Sequence, residues 1–291
     1  MRKFLVVGFF LLPLCIFSQT EEEDAILDSL IEGFFSTDSL MVNLSKTNYL
    51  YTTFSFDESV FFAGRDFDIE QFGFTPSISY MRGQNFFASL GSAYFSELDP
   101  RWDFVSISSG YSLFLDRVDR FSLTGIYSRI FFADDTADLN PNRLSVALAF
   151  HKNSFRLRCS AGYLFGGSTA FYTSLTSSYD ISITETESWE MSFNPQLSFL
   201  ISEQTISEQI AYGLFNTQTL DRDVFDLINT QISIPLELDI GNWDFQLSYN
   251  VNLPKALANE SNISPSGYFS FSIGYFSTLW ILFYQYFINF S

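Results

Sequence analysis

The only histidine of the chain is the first residue to consider for catalysis. Membrane-embedded hydrolases that act on lipids need a general base beside a nucleophile, and histidine most often fills that role. His151 lies in the polar stretch 151–154, which is typical of a short turn, and one histidine without matched cysteines or carboxylates builds no zinc site. Gly166 and Gly167 lie beside a strand-like stretch rather than before a helix, so no phosphate-binding loop is indicated. The sequence therefore predicts no catalytic residue, no metal site and no cofactor.

A second group of residues carries charge inside segments of alternating polarity. Alternation places all of them on the polar face of their segments: Arg156, Arg158, Asp180, Glu190 and Glu237, with Asp239 and Asp244. If Gly166-Gly167 forms the tip of a hairpin, Arg156 lies opposite 179–180 and Arg158 lies one step further along the same face. In an enclosed lumen these charges could form a constriction that selects solutes by charge. They could equally form a structural network that fills a narrow bore, and this interpretation is favoured because unpaired charge in a confined space is costly.

The fold must account both for these alternating segments and for the high aromatic content of the chain. Aromatic residues make up 19% of the sequence, with 36 Phe and 15 Tyr. The alternation is clearest in 70–80, 189–202 and 243–252, where the polar face is mainly Ser, Asn and Gln. A soluble sandwich also alternates, but its polar face is usually richer in Lys, Glu and Thr. In lipid, non-helical spans must close on themselves to pair every backbone group, so the pattern predicts an all-β transmembrane antiparallel barrel.

Turn-forming stretches divide this barrel into hairpins. Short turns are predicted at 82–85, 116–119, 151–154, 184–187 and 241–242. Longer, partly acidic connections are predicted at 64–68, 97–101, 133–142, 203–224 and 253–265. Short turns belong on the periplasmic side and long loops outside. The resulting strands are 47–63, 69–81, 86–96, 102–115, 120–132, 143–151, 154–166, 169–183, 188–202, 225–239, 242–252 and 266–277.

Twelve strands are therefore the favoured count, with fourteen as the alternative. The aromatic segment 278–291 alternates like a strand, but a thirteenth strand would break the even-number rule. A further strand at 208–219 would restore an even count of fourteen. Otherwise the barrel occupies 46–277 and 278–291 is an extra strand or an appendage.

The chain ahead of the barrel divides into two parts. Arg2 and Lys3 precede an apolar run ending at Phe17, which predicts a cleaved signal peptide over residues 1–18. A periplasmic segment follows over 19–45. Within it, acids at 21–24 lead into apolar residues at helical spacing, which predicts a short amphipathic helix over 25–35. Two positions for this helix remain open: tucked into or beneath the barrel mouth, or available to dock a protein partner.

Charge and cysteine content restrict the partners. Removing Arg2 and Lys3 with the signal peptide lowers the 15 bases to 13 against 33 acids, which takes the net charge from −18 to −20. Nucleic acid is excluded as an expected partner, because phosphate binding requires clustered Lys and Arg. The expected partners are outer-membrane lipid and lipopolysaccharide, with a protein partner through the N-terminal segment as a further option. Cys159 alone remains in the mature chain, so an intrachain disulfide is impossible.

Several stretches resemble a family of uncharacterised Gram-negative outer-membrane β-barrel proteins. The resemblance is carried by Phe61–Gly73, Tyr94–Glu97, Asn252–Pro254 and Ser270–Tyr275, and it extends over residues 20–277. It implies the barrel fold and a location in the outer membrane with the N-terminus in the periplasm. No substrate or catalytic residue comes with it. Residues 278–291 depart from the family pattern.

Three function classes follow from these observations. A narrow porin-like channel for small solutes comes first, because Ser, Gly, Asn and Gln line the inferred lumen. A non-conducting structural or assembly subunit of an outer-membrane complex comes second, because large side chains can fill a twelve-strand bore. A lipid-modifying enzyme is a distant third, since His151 is poorly placed for it.

The predicted topology can be tested by proteolysis of intact cells. A protease added outside should cut in 133–142 or 203–224 and spare the turns 151–154 and 184–187, because long polar loops are accessible and periplasmic turns are not. The fragments can be identified by mass spectrometry. Cleavage confined to the short turns would mean that the orientation is inverted.

Overall fold

The computed structural model describes residues 48–61, 63–65, 70–133, 140–167, 169–211, 217–257 and 263–279, with side chains left undescribed at 205–222 and 279. The predicted signal peptide, the predicted helix at 25–35 and residues 280–291 lie outside these ranges. None of the helices in the described ranges is long and apolar enough to cross a membrane.

The described chain forms antiparallel strands joined in sequence order. They are β1 (Asn48–Asp57), β2 (Gly73–Arg82), β3 (Phe86–Phe95), β4 (Trp102–Phe114), β5 (Phe121–Phe132), β6 (Asn142–Lys152), β7 (Phe155–Phe165), β8 (Ala170–Tyr179), β9 (Ile181–Glu185), β10 (Trp189–Phe193), β11 (Gln196–Ala211), β12 (Thr217–Ile240), β13 (Trp243–Pro254) and β14 (Ser266–Leu279). Strands β1 to β8 pair consecutively, and β8 pairs with β11. Strand β11 pairs with β12, β12 with β13, β13 with β14, and β14 with β1. These pairings close a twelve-strand barrel, which confirms the predicted fold class and the favoured strand count.

The alternative of fourteen barrel strands is wrong. The two additional strands, β9 and β10, extend the β8–β11 hairpin beyond breaks at Asp180 and at Asn194-Pro195. Strand β9 pairs with β10, and β10 pairs with β12, so β9 has no partner strand along its other edge in the described sheet. This short extension lies past the β6–β7 turn, where the backbone N–H of Asp180 donates to the carbonyl of Ser154.

The prediction of a loop at 203–224 is also wrong. Residues 203–211 pair with residues 217–225 as the two arms of a hairpin. Neighbouring strands hold only its base, because β8 pairs with β11 up to Ser202 and β13 pairs with β12 only from Asn229 onward. Polar and acidic residues suggested a loop, yet cross-strand pairing between the two arms satisfies the backbone of these residues. This pairing also makes the arms poorer protease substrates than a loop.

Both ends of the barrel chain lie on the side of the short turns. Asn48 pairs with Leu279 and Asp57 pairs with Ser270, so β1 starts where β14 finishes. Thr278 and Leu279 are thus the last residues of a barrel strand, and the extra-strand alternative for 278–291 falls mainly outside the described residues. An even strand number with both chain ends on one side is the arrangement expected of a membrane barrel.

The outer surface of the barrel is apolar and banded. Exposed aliphatic side chains cover its middle, among them Leu90, Ile107, Val146, Leu175, Ile234 and Leu247. Aromatic rings collect towards the short-turn end, where Trp243 and Tyr275 lie 4.6 Å apart and Phe121 and Phe150 lie 4.8 Å apart. Rings also pair towards the opposite end, as in Tyr94–Trp102 and Phe56–Phe72. An apolar band between two aromatic girdles is the surface of a barrel that spans a bilayer.

The inner surface alternates with this band and is built mainly from small polar residues. Three of its aromatic rings occupy the space above glycines of a neighbouring strand. A Cβ added at Gly274 would collide with the ring of Tyr51, and one at Gly162 would collide with Tyr172. Phe87 covers Gly110 in the same way. These large side chains therefore lie along the wall instead of crossing the bore.

Cys159 tests which face of β7 meets lipid. Its side chain is exposed on the outer surface, as alternation with Leu157 and Tyr163 predicts. In native vesicles we expect slow labelling by a water-soluble maleimide, because a thiol that faces lipid does not meet a reagent confined to water. Glu187→Cys in the turn after β9, in a Cys159→Ser chain, is the accessible control. Equal labelling rates at the two positions would mean that the apolar band is not in a membrane.

Candidate functional site

The five charged residues predicted from the sequence lie together on the lumen wall, towards the short-turn end. Arg156 and Arg158 are on β7, Asp180 follows β8, Glu190 is on β10 and Glu237 is on β12. Arg156 Nη2 lies 3.5 Å from Asp180 Oδ2, and both side chains are partly buried. The predicted register was close: Arg156 pairs across the sheet with Ser178, two residues before Asp180.

Three carboxylates form a row across adjacent strands. Glu190 on β10 is the direct partner of Asp239 on β12, and Asp239 is the direct partner of Asp244 on β13. Directly opposite residues share a face, with Cβ atoms about 5 Å apart, so like charges there repel. Such a row is electrostatically costly, and positive charge nearby lowers that cost. We refer to Glu190, Asp239 and Asp244 as the carboxylate row.

Glu237 lies two residues beyond Asp239 on the same face of β12. Ser192 Oγ donates to its Oε2 atom at 3.4 Å. The charges that act on Glu237 include those of Asp244, Asp239, Asp180 and Arg156. The carboxylate row, Glu237 and the Arg156–Asp180 pair therefore belong to one electrostatic cluster with more acids than bases.

Tyr51 is the member of this cluster that sequence reasoning missed. Its hydroxyl donates to Asp244 Oδ2 at 2.8 Å, and its ring stacks on Phe276 with centroids 4.2 Å apart. Alternation does place Tyr51 on the inward face of β1, beside Thr53. A closed barrel pairs the first strand with the last, but Asp244 lies one strand further, on β13, and no sequence pattern indicates a contact that reaches past β14. The contact between Tyr51 and Asp244 follows only from closure of the barrel.

The lumen wall next to Tyr51 is apolar. Tyr51, Met81, Phe87 and Ile126 form a cluster of inward side chains on β1, β2, β3 and β5, which we call the apolar wall. Their exposed fractions are 7%, 5%, 5% and 4%. The lumen at this end is thus two-sided, with acids and arginines on β7–β13 and apolar side chains on β1–β5.

Hydroxyl groups line much of the remaining wall and bond to one another. Pairs on neighbouring strands lie 2.6–2.9 Å apart: Thr53–Ser77, Ser79–Ser89, Ser112–Thr124, Ser160–Ser174 and Thr176–Ser198. Ser112, Thr124, Ser160 and Ser174 are also buried. Because these hydroxyls satisfy one another, they need neither water nor a solute as a partner.

At the opposite end, apolar side chains narrow the lumen. Ala63, from the loop after β1, packs with Ile228 of β12 and Leu257, which follows β13. The loop is held there by Arg65, whose Nη2 donates to the carbonyl of Lys255 at 3.1 Å. Gly64 has a φ of +80° and lies against the Asn229 side chain, where any Cβ would collide. Leu200 joins this cluster to a second one that contains Tyr172.

His151 lies at the end of β6, next to the short turn that leads to β7. It closes β6 beside the turn 153–154, and its Nε2 lies 2.6 Å from the carbonyl oxygen of Asn153. Its partner across the sheet is Arg156, which is not a nucleophile. In the part of the chain that the structure describes, no group of three or more His, Cys, Asp or Glu residues is arranged to hold a metal ion.

The chain was compared with known families, curated proteins and solved structures. No family model matches the chain, and no curated protein matches it. The specific family suggested by the resemblance of Phe61–Gly73 and the other stretches therefore stays a prediction.

Solved structures with a similar fold are outer-membrane barrels with different roles. The KdgM porin is 9% identical, with a TM-score of 0.46 over 78% of this chain and 98% of that one. An outer membrane channel from Pseudomonas putida F1 is 8% identical, with a TM-score of 0.47 over 81% and 97%. The translocator domain of the autotransporter NalP from Neisseria meningitidis is 11% identical, with a TM-score of 0.45 over 87% and 96%. Similarity at this level concerns only the general barrel fold, and it supports no conclusion about what this barrel binds or transports.

Proposed function

We propose that this barrel lies in the outer membrane and acts as a narrow channel that prefers small cations. The carboxylate row carries the proposal, because three adjacent acids on a lumen wall are unfavourable unless positive charge is drawn to them. Glu237 adds a fourth carboxyl group beside the row. In a confined bore with low-dielectric walls, a few such charges dominate the local potential.

Arg156 is paired with an acid outside the carboxylate row. Arg156 pairs with Asp180, a carboxylate outside the row, so that charge is largely neutralised within the pair. Arg158 lies one step further from the short-turn end, opposite Thr176 on β8. The acids at Glu190, Asp239 and Asp244 are therefore the charges that a solute meets first when it enters from the short-turn end.

Solutes would have to be small. The cluster around Ile228 and Leu257 narrows the opposite end of the lumen, and the loop residue Ala63 is part of it. An apolar constriction passes ions and small polar solutes poorly unless it stays hydrated. This geometry favours a low-conductance channel over a wide general porin.

The topology supports an orientation with both ends of the barrel chain in the periplasm. The short turns and both ends of the barrel chain lie on one side, which in outer-membrane barrels is the periplasmic side. The β11–β12 hairpin then projects outside the cell. The predicted signal peptide supports export, and the two aromatic girdles support insertion in the bilayer.

Cation preference can be tested in planar bilayers. The variant Glu190→Gln/Asp239→Asn/Asp244→Asn should lower the cation-to-anion permeability ratio by about threefold or more, because the row supplies the local negative potential. Reversal potentials in a KCl gradient measure that ratio. Glu187→Gln, in the turn outside the lumen, is the matched control and should behave like the unmodified protein. An unchanged ratio in a conducting triple variant would contradict the proposal.

A non-conducting structural subunit is the second candidate, and the buried hydroxyl pairs favour it. Water in an open bore would compete for hydroxyls such as Ser160 and Ser174, yet both are buried and bond to each other. The Arg156–Asp180 pair would then be part of a packed interior rather than of a pathway. Such a barrel would act by binding other subunits of an outer-membrane complex on its outer surfaces.

The variant Arg156→Gln/Arg158→Gln separates the two candidates. In a channel, loss of the arginines should increase cation preference. In a filled barrel, conductance should stay at background, and the free energy of unfolding in detergent should fall by about 1 kcal/mol, because Asp180 loses its partner. Selectivity comes from bilayer recordings and stability from urea titration of the same preparation. If a conducting variant shows neither change, both accounts of the arginines are wrong.

A further inference from the structure

The side chains of the apolar wall are more deeply buried than side chains that line a water-filled lumen should be. Tyr51, Met81, Phe87 and Ile126 point into the lumen, yet none is more than 7% exposed. The described hydrophobic residues packed against them are Tyr49 and Phe276, which lie on the same side of the barrel. Rings that line an open lumen keep one face in water, so the buried state of this cluster calls for a cover on its lumen side.

The shape of the wall suits an apolar segment. The ring of Tyr51 occupies the space above Gly274, and that of Phe87 the space above Gly110, so both rings lie close to the wall. Met81 fills the space between these strands with a flexible side chain, which adapts to irregular neighbours. A surface of this kind packs well against the apolar side of a helix.

The chain itself supplies a segment at the right place. Strand β1 begins at Asn48 on the short-turn side, only three residues before Tyr51. The stretch 25–35 precedes it and carries apolar residues at helical spacing: Ile26, Leu27, Leu30, Ile31, Phe34 and Phe35. As a helix, this stretch would be about 16 Å long. The connection 36–47 can extend to about 40 Å, which is enough to turn back into the lumen.

We propose that the stretch 25–35 docks inside the periplasmic half of the lumen, with its apolar side on the apolar wall. Asp28 and Glu32 lie on the other side of such a helix, towards β7, the strand that carries Arg156 and Arg158. The carboxylate row lies on the same side of the lumen, on β10, β12 and β13, so apolar contact rather than charge holds the segment in place. This goes beyond the proposed channel, because it makes the chain's own N-terminal part the occupant that narrows the bore.

Thiol labelling at two neighbouring positions tests the docking. Ser89 is on the lumen face of β3, two residues from Phe87, and Ala88 faces outward. In a Cys159→Ser chain, Ser89→Cys should react slowly with a water-soluble maleimide, because the segment covers it. Adding Leu27→Asp/Leu30→Asp should speed this reaction about tenfold or more by releasing the segment. Ala88→Cys is the matched control and should stay unreactive with or without the aspartates.

The outcomes separate docking from channel activity. Fast labelling of Ser89→Cys in the chain with an unaltered segment would overturn the proposal, and so would slow labelling that the aspartates leave unchanged. Leu27→Ala/Leu30→Ala is the second variant should the aspartates prevent assembly, and it should produce a smaller increase of the same sign. Folding of every variant is checked by heat-modifiable migration on gels. Segment-dependent labelling of a protein that never conducts would support docking and reject the channel.

Discussion

Every backbone N–H and C=O within a bilayer needs a partner inside the protein, because lipid offers none. The rest of this structure depends on that constraint. It requires β1 to meet β14 and β11 to meet β12, since an open edge at either place would leave a strand unpaired in lipid. Beyond the membrane the constraint no longer applies. There, β9 keeps an edge without a partner strand in the described sheet, and the arms of the β11–β12 hairpin leave their neighbours.

Closure also decides which side chains meet. Once the sheet is a cylinder, residues far apart in the chain become neighbours, as with Tyr51 and Asp244, whose contact joins β1 to β13. Alternation puts acids on the inward face of each strand, and the register of two pairings puts Glu190, Asp239 and Asp244 side by side. The repulsion in that row is a cost of the pairing rather than a source of stability. This cost is the reason to connect the row with function.

Local patterns in the sequence predicted much of this architecture. A two-residue repeat has only two faces, so the lipid side of Cys159 and the lumen side of Arg156 followed from their strands alone. The turn residues then fixed the hairpin register closely enough to place Arg156 near Asp180. Two features were not predicted, because each depends on contacts between more than one strand. The arms of 203–224 have a loop-like composition and are held by each other, and the role of Tyr51 depends on a closure that no local pattern records.

The hairpin of β11 and β12 is fixed only at its base, and its base carries lumen residues. Leu200 and Ile228 belong to the same two strands and pack in the cluster that narrows the outer end of the bore. Nine residues of β11 pass beyond the last one held by β8, which amounts to a free arm of about 30 Å. The arms are continuous with the strand segments that carry Leu200 and Ile228, so any displacement of the arms would act directly on the backbone of the apolar cluster.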